Sequence, residues 1–169
     1  MQMHQLQAQL SSDPMARIDD EDLGAWRAFL TAHAHITRAI SRDLTAAGLP
    51  DLAWYDLLWA LYRAPGRRLR VNELAREVVL SPTAMSRFVD RVEAAGHVRR
   101  EPDPADRRAL QITITDSGVD LLRSMWPVYE AGIERLFSRH VNADEARAIG
   151  EALGRAVKAC GRRGTSDEE

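Results

Sequence analysis

The sequence predicts a mainly α-helical fold that carries a small β-hairpin wing. Three observations lead there: a capped amphipathic helix beginning at Ser81, a switch to alternating period directly after it, and long apolar-striped segments at both ends of the chain. The stretch from Leu80 to Thr115 concentrates the charged chemistry, and the flanking helices read as its frame.

Residues 1–21 are polar and read as a poorly ordered tail. They have neither the basic head nor the apolar centre of a secretory signal, and Met15 could equally be the first residue made. Asp19, Asp20, Glu21 and Asp22 stand where a helix dipole favours negative charge. Leu23, Trp26, Phe29, Leu30, His33, Ile36, Ile40 and Leu44 then fall on or near one stripe, predicting a helix from Asp22 to about Ala47 that Gly48-Leu49-Pro50 ends. A second helix, from about Asp51 to Arg63, is apolar around most of its circumference and is expected to be buried on several sides. Pro65-Gly66 breaks the chain, and Arg67 to Arg70 supplies a short strand for the hairpin to pair with. Val71 to about Val79 forms a short helix with Leu74, Ala75 and Val78 inward.

Ser81 followed by Pro82 is a helix start, because serine accepts from an orphan N–H of the first turn and proline gives up a donor the helix would not use. Ala84 stands where a Glu or Gln would complete a capping box. Ala84, Met85, Phe88, Val89 and Val92 make the apolar stripe, Thr83, Ser86, Arg87, Asp90 and Arg91 the opposite face, and Gly96 the stop. His97 to Arg100 and Leu110 to Ile114 alternate as strands around a turn with two prolines and three acids. Thr115-Asp116 opens a helix to about His140, with Val119, Leu122, Met125, Trp126, Tyr129, Ile133, Leu136 and Phe137 on its stripe and a kink expected at Pro127. Asn142 or Asp144 caps the last helix, whose buried face is marked by Ile149, Leu153, Ala156, Val157 and Cys160; residues 161–169 are a tail.

A helix with a polar N-terminal face followed by an arginine-tipped hairpin is the shape of a winged helix-turn-helix, in which the helix enters the major groove and the hairpin lies on the adjacent backbone or minor groove. Charge supports this. The chain carries a net −2, yet between Arg63 and Arg108 eleven arginines outnumber seven acids, as expected when one surface meets phosphates. Arg87 is the candidate for guanine, with Ser81, Pro82, Thr83 and Ser86 near base edges or phosphates. Arg91 touches phosphate or pairs with a nearby acid, Arg107 and Arg108 sit at the wing tip with Asp103 and Asp106 as rival partners, and Arg70 and Asn72 are candidate backbone contacts. The end helices carry more apolar face than one small winged domain can cover, which points to dimerisation; the alternative is that they fold back on their own domain.

The run Ser81 to Arg100, the turn Asp103-Pro104-Ala105-Asp106-Arg107-Arg108 and the start Ile114-Thr115-Asp116-Ser117-Gly118 closely resemble the multiple antibiotic resistance regulator (MarR) family over roughly residues 22–160. The resemblance implies that Arg108 reaches into the minor groove with Asp106 holding it. It also implies that residues 22–50 and 116–160 interleave as dimerisation helices around a DNA-binding region at 51–115. Two recognition helices then sit about one DNA turn apart, roughly 34–36 Å, over a palindromic operator. Small aromatic or phenolic acids bound between the dimer helices and the winged region would release the DNA. Trp26, Trp54, Tyr55, Asp56, Trp59 and Arg63 could line such a crevice, or the aromatics could be ordinary core.

Other classes find little. No nucleophile elbow, phosphate loop or H-E-x-x-H motif is present, so no enzyme and no cofactor is expected. His33 and His35, two apart on a helix, diverge and do not share a metal. No run approaches the eighteen or so apolar residues of a membrane span. The lone Cys160 cannot form an intrachain disulfide, which fits a reducing cytoplasm. The resemblance speaks against a redox role for it, since peroxide-sensing members of that family carry their reactive cysteine near the first helix, whereas Cys160 lies near the C-terminus. The expectation is a cytoplasmic homodimeric repressor relieved by a small molecule, with a winged protein-interaction module as the alternative.

Overall fold

The computed structural model describes residues 18–103 and 109–161. Its elements run α1 (Asp20–Ala46), α2 (Leu52–Arg63), a 3₁₀ turn at Pro65–Arg67, β1 (Arg68–Arg70), α3 (Val71–Glu77), α4 (Pro82–Ala94), β2 (Val98–Pro102), β3 (Leu110–Ile114), α5 (Asp116–Leu136), a 3₁₀ turn at Ser138–His140, and α6 (Ala143–Gly161). The three strands form one antiparallel sheet in the order β1-β3-β2, so the chain folds as a mainly helical winged helix-turn-helix with a three-stranded wing base. Arg68 to Arg70 pair with Thr113 to Gln111, as the short-strand expectation required. Among the described residues, no helix is long and apolar enough to cross a membrane.

Two compact units divide the chain, residues 1–39 and 40–169. The first holds the N-terminal part of α1. Asp19 Oδ1 accepts from the Asp22 N–H at 2.7 Å, so the helix starts at Asp20, within the stretch expected to be tail. Residues 1–17 and 162–169, the remainder of the expected tails, lie outside the described residues.

The second unit has the core. Leu57, Leu58 and Leu61 of α2, Leu74 of α3, Met85, Val89 and Val92 of α4, Val98 and Ile112 of the sheet and Met125 of α5 are all buried, together with Ile40 and Leu44 from the end of α1. Local hydrogen bonds set the helix starts. Asp51 Oδ1 accepts from Ala53 N, Ser81 Oγ from Ala84 N, and Thr115 Oγ1 from Gly118 N while donating to the Gly96 carbonyl. Asn142, not Asp144, caps α6: its Oδ1 accepts from both Asp144 and Glu145 N–H, and Glu145 returns the bond to the Asn142 N–H. Gly118 is held by contact. A Cβ there would lie 2.1 Å from the His97 carbonyl oxygen, so only glycine lets α5 start this close to the wing.

Two expectations need correction. Ile149, Leu153, Ala156, Val157 and Cys160 do not form a buried face in the single chain; all are exposed among the described residues. α5 runs through Pro127 but ends at Leu136, and Trp126 and Phe137 of its expected stripe are exposed.

α1, α3 and α4 end in the same way, with a residue of positive φ and a long hydrogen bond back over the last turn: Leu49 to Leu44, Leu80 to Ala75 and His97 to Val92. Gly48 and Gly96 occupy the left-handed position in two of them, but Val79, at φ +57 and 88% exposed, occupies it in the turn before α4. A valine backbone in that region costs roughly 1–2 kcal/mol, and so little of this side chain is covered that few contacts repay it. Val79→Gly is therefore expected to raise stability by about 0.5–1 kcal/mol after glycine's own entropic cost. The check is a urea titration, and a lowered midpoint would contradict the assignment.

Candidate nucleic-acid interface

One face of α4 is fixed by burial: Met85, Phe88, Val89 and Val92 pack inward, and α4 contacts α3 and β2. Helical geometry then sends Thr83, Arg87, Asp90 and Arg91 outward, with Ser81 and Pro82 exposed at the start and Ser86 half-buried. The side chains differ in their freedom. Arg91 lies over the Phe88 ring at 5.0 Å, whereas Arg87 has no ion-pair or hydrogen-bond partner among the described residues.

Two arginines are committed inside the winged unit. Arg70 Nε and Nη2 lie 2.7 and 2.6 Å from Asp103 Oδ2, and Asp103 is 3% exposed while its N–H donates to the Ala109 carbonyl. This ties the base of the wing to β1. Arg70, read from sequence as a phosphate contact, is thus held at the wing base; Asn72 is exposed near the start of α3. Arg100 of β2 turns to α4, pairing with Glu93 and Asp90. On the sheet surface Glu101 accepts from Arg99 Nε and Thr113 Oγ1, and these bonds, the Arg99 one first, hold its carboxyl below the usual carboxylate range. Asp106, Arg107 and Arg108 lie outside the described residues. Sequence reasoning named Asp103 only as a rival partner for the tip arginines and did not assign Arg100 or Glu93, whose partners are separated along the chain.

A second site lies between α2 and α5. A cavity of about 300 Å³ is lined by Tyr55, Trp59 and Tyr62 from one helix and Val119, Leu122, Arg123 and Trp126 from the other. Trp59 stacks between Tyr55 and Tyr62, and the Arg63 guanidinium sits 5.8 Å from its ring centre. Asp56 acts electrostatically on both Tyr55 and Tyr129. Trp54 is not in the cavity. Half-buried, it meets Phe88 and His97 edge-on at 6.1 and 6.0 Å, apart from the other aromatics named for a ligand crevice. Trp26 belongs to the N-terminal unit and packs on Phe29 at 5.8 Å. Tyr62, Arg123 and Trp126 were missed, although Trp59 and Tyr62 as well as Arg123 and Trp126 stand three apart, a spacing that puts each pair on one helix face.

Comparison with known proteins follows the same lines. Residues 47–109 match the model of the MarR family. The transcriptional activatory protein BadR of Rhodopseudomonas palustris is 35% identical over 89 residues, 52% of this chain and 48% of BadR, so the match spans about half of that relative's length. Two structures of MarR family transcriptional regulators from Streptomyces coelicolor are similar, each 28% identical. AbsC covers 88% of this chain and 98% of its own at a TM-score of 0.76. Sco3205, solved in complex with DNA, covers 85% and 93% at 0.75.

The cavity has a measurable alkaline signature. Burial first, then Tyr129 and Asp56, push the Tyr55 hydroxyl up to about 12, whereas an unfolded tyrosine ionises near pH 10. Because the folded chain holds this proton more tightly, the contribution is complete below about pH 10 and is lost as pH rises towards 12. Tyr55→Phe is expected to flatten the fall in stability across that window, and an equal fall in both proteins would contradict it.

Proposed function

The chain belongs to the MarR family of DNA-binding transcription regulators, and from that premise we propose that it works as a two-fold homodimer that represses from a palindromic operator and leaves it when an aromatic acid binds. The family is one of regulators rather than enzymes. The observation that carries the DNA reading is α4: its inward face is fully used, and its outward face offers Thr83, Arg87 and Arg91 to solvent, with Arg87 unpaired among the described residues. Arg87 reads guanine in the major groove, and Ser81, Pro82, Thr83, Ser86 and Arg91 place the helix on neighbouring base edges and phosphates. Asn72 adds a backbone contact, Arg70 supports the wing from its base, and Arg107 and Arg108, with Asp106, carry the minor-groove contact that the family resemblance implies.

Dimerisation is supported by apolar side chains left uncovered in each unit. Trp26, Phe29 and Leu30 are exposed on α1, and Ile149, Leu153 and Val157 on α6. Burying each such side chain stabilises by roughly 1.5–3 kcal/mol, and a second copy of the chain supplies the missing surface symmetrically. Repression follows if the ligand-free dimer occupies a promoter. The activatory role that BadR is named for is that protein's own. A regulator of this kind works where the DNA is, in the cytoplasm.

The effector site is the cavity between α2 and α5. Its four lining aromatics, Tyr55, Trp59, Tyr62 and Trp126, together with Arg123, suit a flat ring with one acidic group. Trp59→Ala is expected to leave operator binding intact and to abolish release by an aromatic acid such as salicylate in a gel-shift titration. Undiminished release from the variant would move the effector elsewhere.

The DNA reading is tested with a duplex enriched from a random pool by the purified protein. Arg87→Ala is expected to lower preference for that duplex over random DNA by about tenfold or more, whereas Arg108→Ala weakens binding to both. An equal loss on both duplexes for Arg87→Ala would make it a phosphate contact only.

A further inference from the structure

We propose that Arg100 is a positioning residue for DNA reading: it tethers the recognition helix by its flank and neutralises the carboxylate that this helix carries onto its reading face. The inference rests on the DNA-binding function proposed above. Arg100 belongs to β2, yet both terminal nitrogens of its guanidinium bond to α4. Nη2 lies 2.5 Å from Asp90 Oδ1 and 3.4 Å from the Ser86 carbonyl oxygen, while Nη1 pairs with the Glu93 carboxylate. The Arg100 backbone N–H donates to Glu93 Oε1 at 2.7 Å, so strand and helix are joined by main chain and side chain together.

Asp90 makes this more than a structural tie. It is 62% exposed and stands three residues after Arg87, which makes the two neighbours on the helix surface. A bare carboxylate there would face the same phosphates that Arg87 approaches, and repulsion between them would offset part of the gain. Arg100 is itself only 22% exposed, drawn back against Asp90 and Glu93. It is therefore poorly placed to contact phosphate and well placed to cancel Asp90. The planar guanidinium can span two carboxylates and a carbonyl at once, which a lysine ammonium on a flexible stem cannot do with the same fixity.

A double-mutant cycle on the full chain separates this role from a general effect on folding or a direct phosphate contact. Arg100→Gln, Asp90→Asn and the pair are measured on the enriched duplex and on random duplex of equal length, at a temperature where thermal unfolding shows each variant folded. Arg100→Gln is expected to weaken binding to the enriched duplex about tenfold in the native background and by less than about threefold when Asp90 is already Asn. An equal penalty in both backgrounds would overturn the proposal, since Arg100 would then act without Asp90. If Arg100→Gln does not fold, Asp90→Asn alone decides. Releasing one tether is expected to lower discrimination between enriched and random duplex at least about threefold, and unchanged discrimination overturns the proposal. If the native chain retained no duplex even at low salt, the DNA-binding function itself would fail, and this inference with it.

Discussion

The structure depends on the one-sided burial of α4. Met85, Phe88, Val89 and Val92 are nearly inaccessible, and they fix both the rotation of the helix about its axis and its seat on α3 and β2. Arg87 and Thr83 point outward because those four point inward; a turn of the helix by one residue would bury an unpaired guanidinium, which is far costlier than losing one apolar contact. The reading face is in this sense a by-product of the core, and its aim is only as sharp as the packing beneath it.

Around that helix the chain places polar ties where packing alone would leave slack. Arg100 joins β2 to the flank of α4, Asp103 joins the wing base to Arg70 on β1, and Thr115 closes the sheet onto the start of α5 by donating to the Gly96 carbonyl. Gly118 brings α5 to the wing more closely than any side chain would permit. α5 also forms one wall of the aromatic cavity, so a ligand seated there as proposed above would press on the helix whose first turn abuts the wing. On that proposal, the contiguity is the physical route from the cavity to the reading face.

Much of the fold was legible in the sequence because its signals are local. Ser81-Pro82 and Thr115 cap the helices they were expected to cap, since a side-chain oxygen three residues ahead of an orphan N–H needs no tertiary information. Even the three-residue strand at Arg68 could be read from the break at Pro65-Gly66. What could not be read was pairing across distance. Arg100 had several acids within reach of a guess, and only the fold brings Asp90 and Glu93 to it. The second helix was harder in another way: being apolar nearly all round, its pattern does not say which aromatic faces which neighbour. Trp54 packs edge-on against Phe88 and Tyr62 lines the cavity, and the pattern could not tell them apart. The apolar face of α6 was read as more than one winged domain can cover, but a stripe does not reveal whether its cover comes from the same chain or another, and in the single chain that face is exposed.

The proposed function therefore turns on what covers those faces and how many α4 helices meet one duplex. Sedimentation equilibrium of the protein alone and mixed with the duplex enriched from a random pool measures both at once. The expected result is a dimer in free solution and two chains on each duplex, with binding lost when either half of the palindrome is scrambled. A monomer that binds one chain per duplex, indifferent to the second half-site, would contradict it.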